Sequence, residues 1–363
     1  MAVRFEGAAI DFAMNLFSKS VSEEENVLVS PLSVSLCLGM LLGGAEGETK
    51  EAMRKALAGD LSDEEFRNAL AEYAKSLPSD EKTKFHFADS IWIEKAFKLN
   101  RKFEKQTEKQ FKSVVERLPF DERAVRKIND WVSKETDGMI DSVVDSVTPE
   151  AMLYLINALA FDGEWARIYS ESDVSETEFR PLSGDPVKVS GMWQKESIYL
   201  KGEGCTGFVK PYAGGKYSFV ALLPDEKERT TEFMRGLTAE KYLKILSGRS
   251  FTNVSTMIPK FSLDYADVLN GKLSELGMGR AFGPEADFSG LSPDRIAVGE
   301  VIHKTHIEVD ERGTKAGAVT AVMLKSLGMP EPMPEVILDR PFVYAIVDNE
   351  RLIPLFIGAL MKP

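Results

Sequence analysis

Polar and apolar residues alternate along this chain with two different periods, and the change from one to the other divides it roughly in half. In the first half apolar residues recur every three to four positions, which predicts amphipathic helices over Glu48–Leu57, Asp63–Ser76, Arg101–Ser113 and Arg123–Glu135. The N-terminal MAVRFEGAAIDFAMNLFSK has Glu6 and Asp11 breaking its apolar positions, so it reads as the first amphipathic helix of the fold and not as an export signal. The longest uncharged run, Val27 to Ala45, contains Pro31 and approaches membrane-spanning length. A central buried helix entered through Ser30 and Pro31 fits it better, since proline suits the first helical position. Strand-like runs interrupt the helices: HFADSIWIE from His86, and MLYLINALAF from Met152, which is apolar enough for a strand covered on both faces. The second half is largely β, with KYSFVALLP, FTNVSTMIPKF, PFVYAIV and PLFIGAL bounded by Pro, Gly or Asp. The expected class is α+β. No Gly/Ser-rich or Pro-rich linker separates the ends from the late loop, so residues 1–363 are expected to form a single domain.

One stretch fits neither half. From Glu308 to Glu335 the sequence EVDERGTKAGAVTAVMLKSLGMPEPMPE reads as a strand left outside a sheet. Every second residue from Thr314 is small and neutral: Thr314, Ala316, Ala318, Thr320, then Val322. Such a face can slide between neighbouring strands. Beyond Met329 come Pro330, Pro332 and Pro334, a spacing that forbids helix and favours extended chain open to a protease.

The segment VIHKTHIEVDERGTKAGAVTA, Val301 to Ala321, resembles the reactive-loop hinge of the serpins. Further serpin-like blocks follow the family's order along nearly the whole chain: NVLVSPLSVSLCLGMLLGGAEGETKEAM, INDWVSKETDGMI, LINALAFDGEW, VKPYAGGKYSFVALLPDE, IPKFSL, ADFSGLS and DRPFVYAIVDNERLIPLFIGALMKP. The chain thus resembles an inhibitory serpin of the prokaryotic type. The resemblance implies three β-sheets with about nine helices and an exposed reactive-centre loop, here about residues 311–335. It implies irreversible inhibition of a serine protease, whose acyl-enzyme is trapped in a covalent 1:1 complex when the cut loop inserts into the main sheet. It also implies a monomer.

Carried onto this sequence, the hinge is Gly313, Thr314, Ala316, Ala318 and Thr320. Counting from Gly313 puts the reactive bond between Leu327 and Gly328, which suits a chymotrypsin-, elastase- or subtilisin-like enzyme. Counting back from Asp339 moves it about three residues later, next to Pro330, where a rigid ring makes a poor substrate. Lys325–Ser326 is the alternative, and implies a trypsin-like target. His303 aligns with the shutter histidine of the family, beneath the opening sheet, together with Ser30, Ser33 and Asn157. Read without the resemblance, the two serines cap a helix and Asn157 pairs with backbone in a buried strand. A non-inhibitory serpin, a chaperone, carrier or storage protein, is the rival reading, and would place bulky, charged or proline residues on the inserting face.

Composition narrows the partners. A net charge of −12 and a pI near 5.0 argue against a nucleic-acid partner, and the lysines from Lys98 to Lys112 alternate with Glu104 and Glu108 as on a solvated helix face. No membrane partner is expected. Cys37 and Cys205 do not make a disulfide framework. The three histidines, His86, His303 and His306, have no zinc-site spacing, and there is no GxSxG elbow or phosphate loop, so neither an enzyme nor a cofactor or metal is expected. The sequon at Asn253 is too common to establish secretion, and falls where a strand is expected. The resemblance slightly favours an extracellular location.

Overall fold

Each amphipathic stretch folds as a helix and stops where its local chemistry stops it. In the computed structural model, which describes residues 2–77, 82–148, 151–314 and 333–363, α1 is Ala2–Ser20, α2 Pro31–Leu42, α3 Gly47–Ala58, α4 Asp63–Ser76, α5 Arg101–Phe111 and α6 Glu122–Glu135. Ser62 starts α4 with a reciprocal cap: its hydroxyl accepts from the Glu65 N–H, and the Glu65 carboxylate accepts from the Ser62 N–H at 2.9 Å. α5 ends at Phe111, short of the expected Ser113, because Lys112 turns left-handed at φ 56°. The uncharged run divides into a short strand and α2, which is capped by Ser30, starts at Pro31 and is buried along its whole length. Among the described residues no helix is long and apolar enough to cross a membrane. Three short helices follow: α7 (Thr230–Arg235), α8 (Ala239–Ser247) and α9 (Asn270–Leu273).

The strands, in chain order, are β1 (Val27–Val29), β2 (Thr83–Glu94), β3 (Val114–Leu118), β4 (Leu153–Glu164), β5 (Val174–Phe179), β6 (Val187–Glu196), β7 (Tyr199–Gly202) and β8 (Cys205–Pro211). There follow β9 (Tyr217–Pro224), β10 (Val254–Pro259), β11 (Phe261–Val268), β12 (Glu300–Val309), β13 (Gly313–Thr314), β14 (Glu335–Ile337), β15 (Phe342–Asp348) and β16 (Pro354–Leu360). Among the described residues they form three sheets, so the fold is α+β: a central sheet β11-β12-β13-β4-β2-β3, a sheet β14-β10-β6-β5, and a sheet β1-β16-β15-β9-β8-β7. The run FTNVSTMIPKF, read from sequence as one strand, divides at Lys260 between two sheets, β10 pairing with β6 and β11 with β12. Asn253 lies exposed just ahead of β10 and outside the strand.

The central sheet is covered on both faces, which is why β4 is apolar at almost every position. Its Leu155 and Leu159 join the large core that includes α1 and α2, while Tyr154, Ile156, Ala158 and Ala160 join a second core with Ala124, Ile128 and Val132 of α6. Each leucine fully buried there contributes about 1.5–3 kcal/mol. Asn157 is the one polar residue in the row facing α2, buried with no exposure to water. Cys37 and Cys205 are both free and buried, and Cys205 opens β8 just after the turn at Gly204, where φ is +75°.

Candidate functional site

At the middle of the central sheet β12 pairs directly and in parallel with β4, Glu300–His306 against Tyr154–Ala160. This register puts His303 opposite Asn157, and the antiparallel pairing of β2 puts Asp89 opposite Asn157 from the other side. Three polar side chains from three strands therefore form one row across the sheet, and the start of α2 brings Ser30 and Ser33 up to it.

The hydrogen bonds fix the donors and the histidine tautomer in the row. The Ser30 N–H donates to His303 Nε2 at 3.1 Å, so the ring proton is on Nδ1 and is donated to Asn157 Oδ1. Asn157 Nδ2 donates to Asp89 Oδ1 at 2.7 Å and also to Ser33 Oγ. The Ser33 hydroxyl donates to Asp89 Oδ1 at 2.8 Å, and the Ser30 hydroxyl donates to Leu355 O at 2.8 Å. Ser30 Oγ also accepts the Ser33 N–H at 3.3 Å, so the cap and the buried network are the same residues in two roles. Burial lowers the His303 pKa from 6.5 to about 4, which keeps the ring neutral. Burial raises the Asp89 pKa from 3.8 to about 7, against the opposing pull of hydrogen bonds from Ser33 and Asn157. Asp89 was not singled out in the sequence. Its only signal was an acid in the middle of the run HFADSIWIE, flanked by apolar residues.

Further along the same seam the two strands part. β12 reverses through Asp310, whose Oδ1 accepts from the N–H groups of Arg312 at 2.8 Å and Gly313 at 3.1 Å. Gly313 and Thr314 then lie as β13 between β12 and β4, antiparallel to both: Thr314 opposes Val309 on one side, and Gly313 and Thr314 oppose Glu164 and Gly163 on the other. The approach is so close that a Cβ on Gly313 would sit 2.0 Å from Gly163 O, so only glycine fits. Thr314 was expected to wait outside the sheet. It is already inside, without exposure to water, its hydroxyl 2.7 Å from Tyr212 OH. The small side chain and the hydrogen-bond partner beneath it are what permit this.

Aromatic residues hold the turn from below. Trp165 donates its backbone N–H to Arg312 O at 2.8 Å and its indole N–H to Asp310 O at 2.9 Å, and stacks on Tyr212 at 4.5 Å. Lys210, buried beside them, donates to Gln194 Oε1 at 2.7 Å and Glu196 Oε1 at 2.9 Å, and lies 4.2 Å from the Tyr169 ring centre. Burial pulls the Lys210 ammonium below its usual range, with Glu196 opposing. Trp165, Lys210 and Tyr212 fall inside sequence blocks noted above, but nothing in those blocks said that they would meet under the turn that leads into β13. Ala316, Ala318, Thr320, Lys325, Ser326, Leu327 and Gly328 lie outside the described residues. On the far side of them, the backbone re-enters a sheet at Glu335, where β14 pairs in parallel with β10.

Among the described residues, a main sheet whose central parallel pair is wedged at one end by the start of a third strand is joined by a second six-stranded sheet, a four-stranded sheet and nine α-helices. The family model for serpins (serine protease inhibitors) matches residues 7–363, and the chain belongs to that family. Leukocyte elastase inhibitor of Sus scrofa is 31% identical over 377 residues, covering 97% of this chain and 97% of that protein. The thermophilic serpin tengpin, solved in its native state, superposes with a TM-score of 0.94 at 41% identity, covering 99% of this chain and 94% of that one. Human thyroxine-binding globulin complexed with its hormone superposes with a TM-score of 0.91, covering all of both chains; at 24% identity it shows the fold alone. The family is one of protease inhibitors rather than enzymes.

Proposed function

We propose that this protein is a suicide-substrate inhibitor of serine proteases, and that the segment after Thr314 inserts between β4 and β12 once a protease has cut it. The observation that carries this reading is the seam itself, closed over Glu300–His306 and already entered by Gly313 and Thr314. Extending β13 would replace one parallel ladder by two antiparallel ones, which are slightly more stable per residue. The uncut protein is then held by a barrier and not by equilibrium.

The protease serine attacks the Leu327 carbonyl, the new amine of Gly328 leaves, and an ester joins enzyme and inhibitor. Residues 314–327 extended at about 3.3 Å each would carry that ester roughly 45 Å along the sheet. The displaced enzyme loses the geometry that deacylation needs. The small inserting face, Thr314, Ala316, Ala318 and Thr320, supports inhibition over a carrier or chaperone role. The row of Asp89, Asn157 and His303 acts as the gate, since the Asn157–His303 bond is the side-chain link that crosses the seam and must break. The inhibitor works as a monomer in a 1:1 complex.

Incubation with chymotrypsin or subtilisin should give a 1:1 adduct that survives boiling in detergent, with a released C-terminal peptide starting at Gly328. A peptide starting at Ser326, with an adduct to trypsin, moves the bond to Lys325. Cleavage of the loop without any adduct at any ratio contradicts the inhibitory reading and leaves a carrier-type serpin.

A further inference from the structure

Asp89 faces more than the gate. Its Oδ1 accepts from Ser33 and Asn157, while Oδ2 receives no hydrogen bond from any described residue. The residue is 6% exposed, and it lines a cavity of about 480 Å³ bounded by α2, α4, α5, α6, β2 and the start of β3. Phe87, Phe111 and Trp131 supply flat apolar walls. Lys75, Lys112 and Glu135 are exposed at its outer edge.

A carboxyl buried without a cation is an unusual arrangement, since an ionised one is ordinarily paired. The groups around Asp89 do not supply that charge. Cys37, from α2, is held neutral by burial and by Asp89 itself. His303, from β12, is neutral down to about pH 4 and reaches Asp89 only through Asn157. The two lysines lie at the solvent edge, where their charge is screened. The volume is in the range of small-molecule sites, which combine apolar walls with a few placed polar groups.

We propose that this cavity binds a small organic cation with a flat apolar body, an arylalkyl ammonium or an amidinium, with Asp89 as its counter-ion and Phe87, Phe111 and Trp131 as its walls. The cationic head meets Oδ2 while Oδ1 keeps its bonds to Ser33 and Asn157. A bound cation holds Asp89 ionised, which strengthens the hydrogen bonds it accepts from the gate residues. Occupancy therefore makes the gate harder to part. The site is built by residues of the intact chain, so its existence does not depend on the inhibitory reading.

The test is calorimetric titration of the intact protein, with no protease present, using 2-phenylethylammonium as the cation and 3-phenylpropionate as a similarly shaped anion. The cation should bind once per chain, about tenfold more tightly at pH 8 than at pH 6, because Asp89 ionises near 7 and only the ionised form pairs. Asp89→Asn keeps the shape and the hydrogen bonds to Oδ1, and should weaken binding at least tenfold. Ala74→Phe fills the cavity and leaves Asp89 in place; it should abolish binding while circular dichroism stays that of the parent. Binding that is independent of pH, that survives in Asp89→Asn, or that favours the anion would overturn the proposal, as would no binding of the cation at millimolar concentration.

Discussion

The two ends of one seam are built from opposite materials. Where β13 has entered, the contacts are backbone and small: Gly313 against Gly163, and Thr314 with a single hydroxyl partner on Tyr212. Where β12 still lies directly on β4, a buried polar row crosses the sheet, and it carries two groups whose ordinary pKa values are displaced in opposite directions, Asp89 up and His303 down. The difference teaches what the proposed insertion would demand of a sheet. Small neutral residues let a strand in at low steric cost, while a satisfied polar network resists parting because each broken link leaves a buried donor or acceptor unpaired.

The comparison breaks most completely if the entered end is made unenterable. Thr314→Arg would force a charge without a partner into the sheet, at about 3 kcal/mol or more. The protein should turn from inhibitor into substrate, with cleaved product replacing the covalent adduct on a denaturing gel. Adduct formation at the parent's level would mean that Thr314 does not lie on the inserting path.

A smaller effect is expected from the closed end. Asn157→Ala removes the central member of the row and leaves His303 Nδ1–H, Ser33 and Asp89 short of a partner. The native state should lose about 2–4 kcal/mol, read as a lower urea midpoint, and should convert on its own to a form with the loop inserted. An unchanged midpoint would remove the row from the account of the gate.

The effect that is smallest at each step of its measurement, one pH unit at a time, sharpens the opposition between Asp89 and His303. Asp89, raised from 3.8 to about 7, stabilises the native state fully below pH 3.8 and loses that contribution as pH rises to 7. His303, lowered from 6.5 to about 4, contributes its stability above 6.5 and loses it as pH falls to 4. Between about pH 4 and 6.5 the two slopes cancel. Asp89→Asn should therefore unmask the histidine, giving a stability that rises by about 1.4 kcal/mol per pH unit over that range relative to the parent. Parallel pH profiles for parent and variant would show that the two groups are not opposed.

How much of this could be read in advance depends on the distance over which each feature is determined. The α4 helix was legible to its ends because its cap, its period and its last turn are local, and β4 was legible because burial on both faces leaves a continuous apolar run. Ser30, Ser33, Asn157 and His303 could be named through a family resemblance, and the structure brings them together. Asp89 could not, since its partnership with Asn157 is a matter of register between strands far apart in sequence, and an acid in the middle of a strand reveals its face and not its neighbour. The same holds for Tyr212 under Thr314. FTNVSTMIPKF misled because apolarity is continuous through a point where the chain changes sheet, a change marked only by Pro259 and Lys260.

The claim at the centre is that the closed stretch of the seam is a place for the residues that follow Thr314. Melting followed by circular dichroism, on intact protein and on protein nicked in the loop near Leu327, tests this most directly. Insertion would add a ladder of hydrogen bonds at roughly 1 kcal/mol each together with newly buried apolar area, a gain comparable to or above a typical domain's whole margin of about 5–15 kcal/mol. The account expects a large rise in melting temperature after cleavage. An unchanged or lower melting temperature in protein shown to be cut would contradict it.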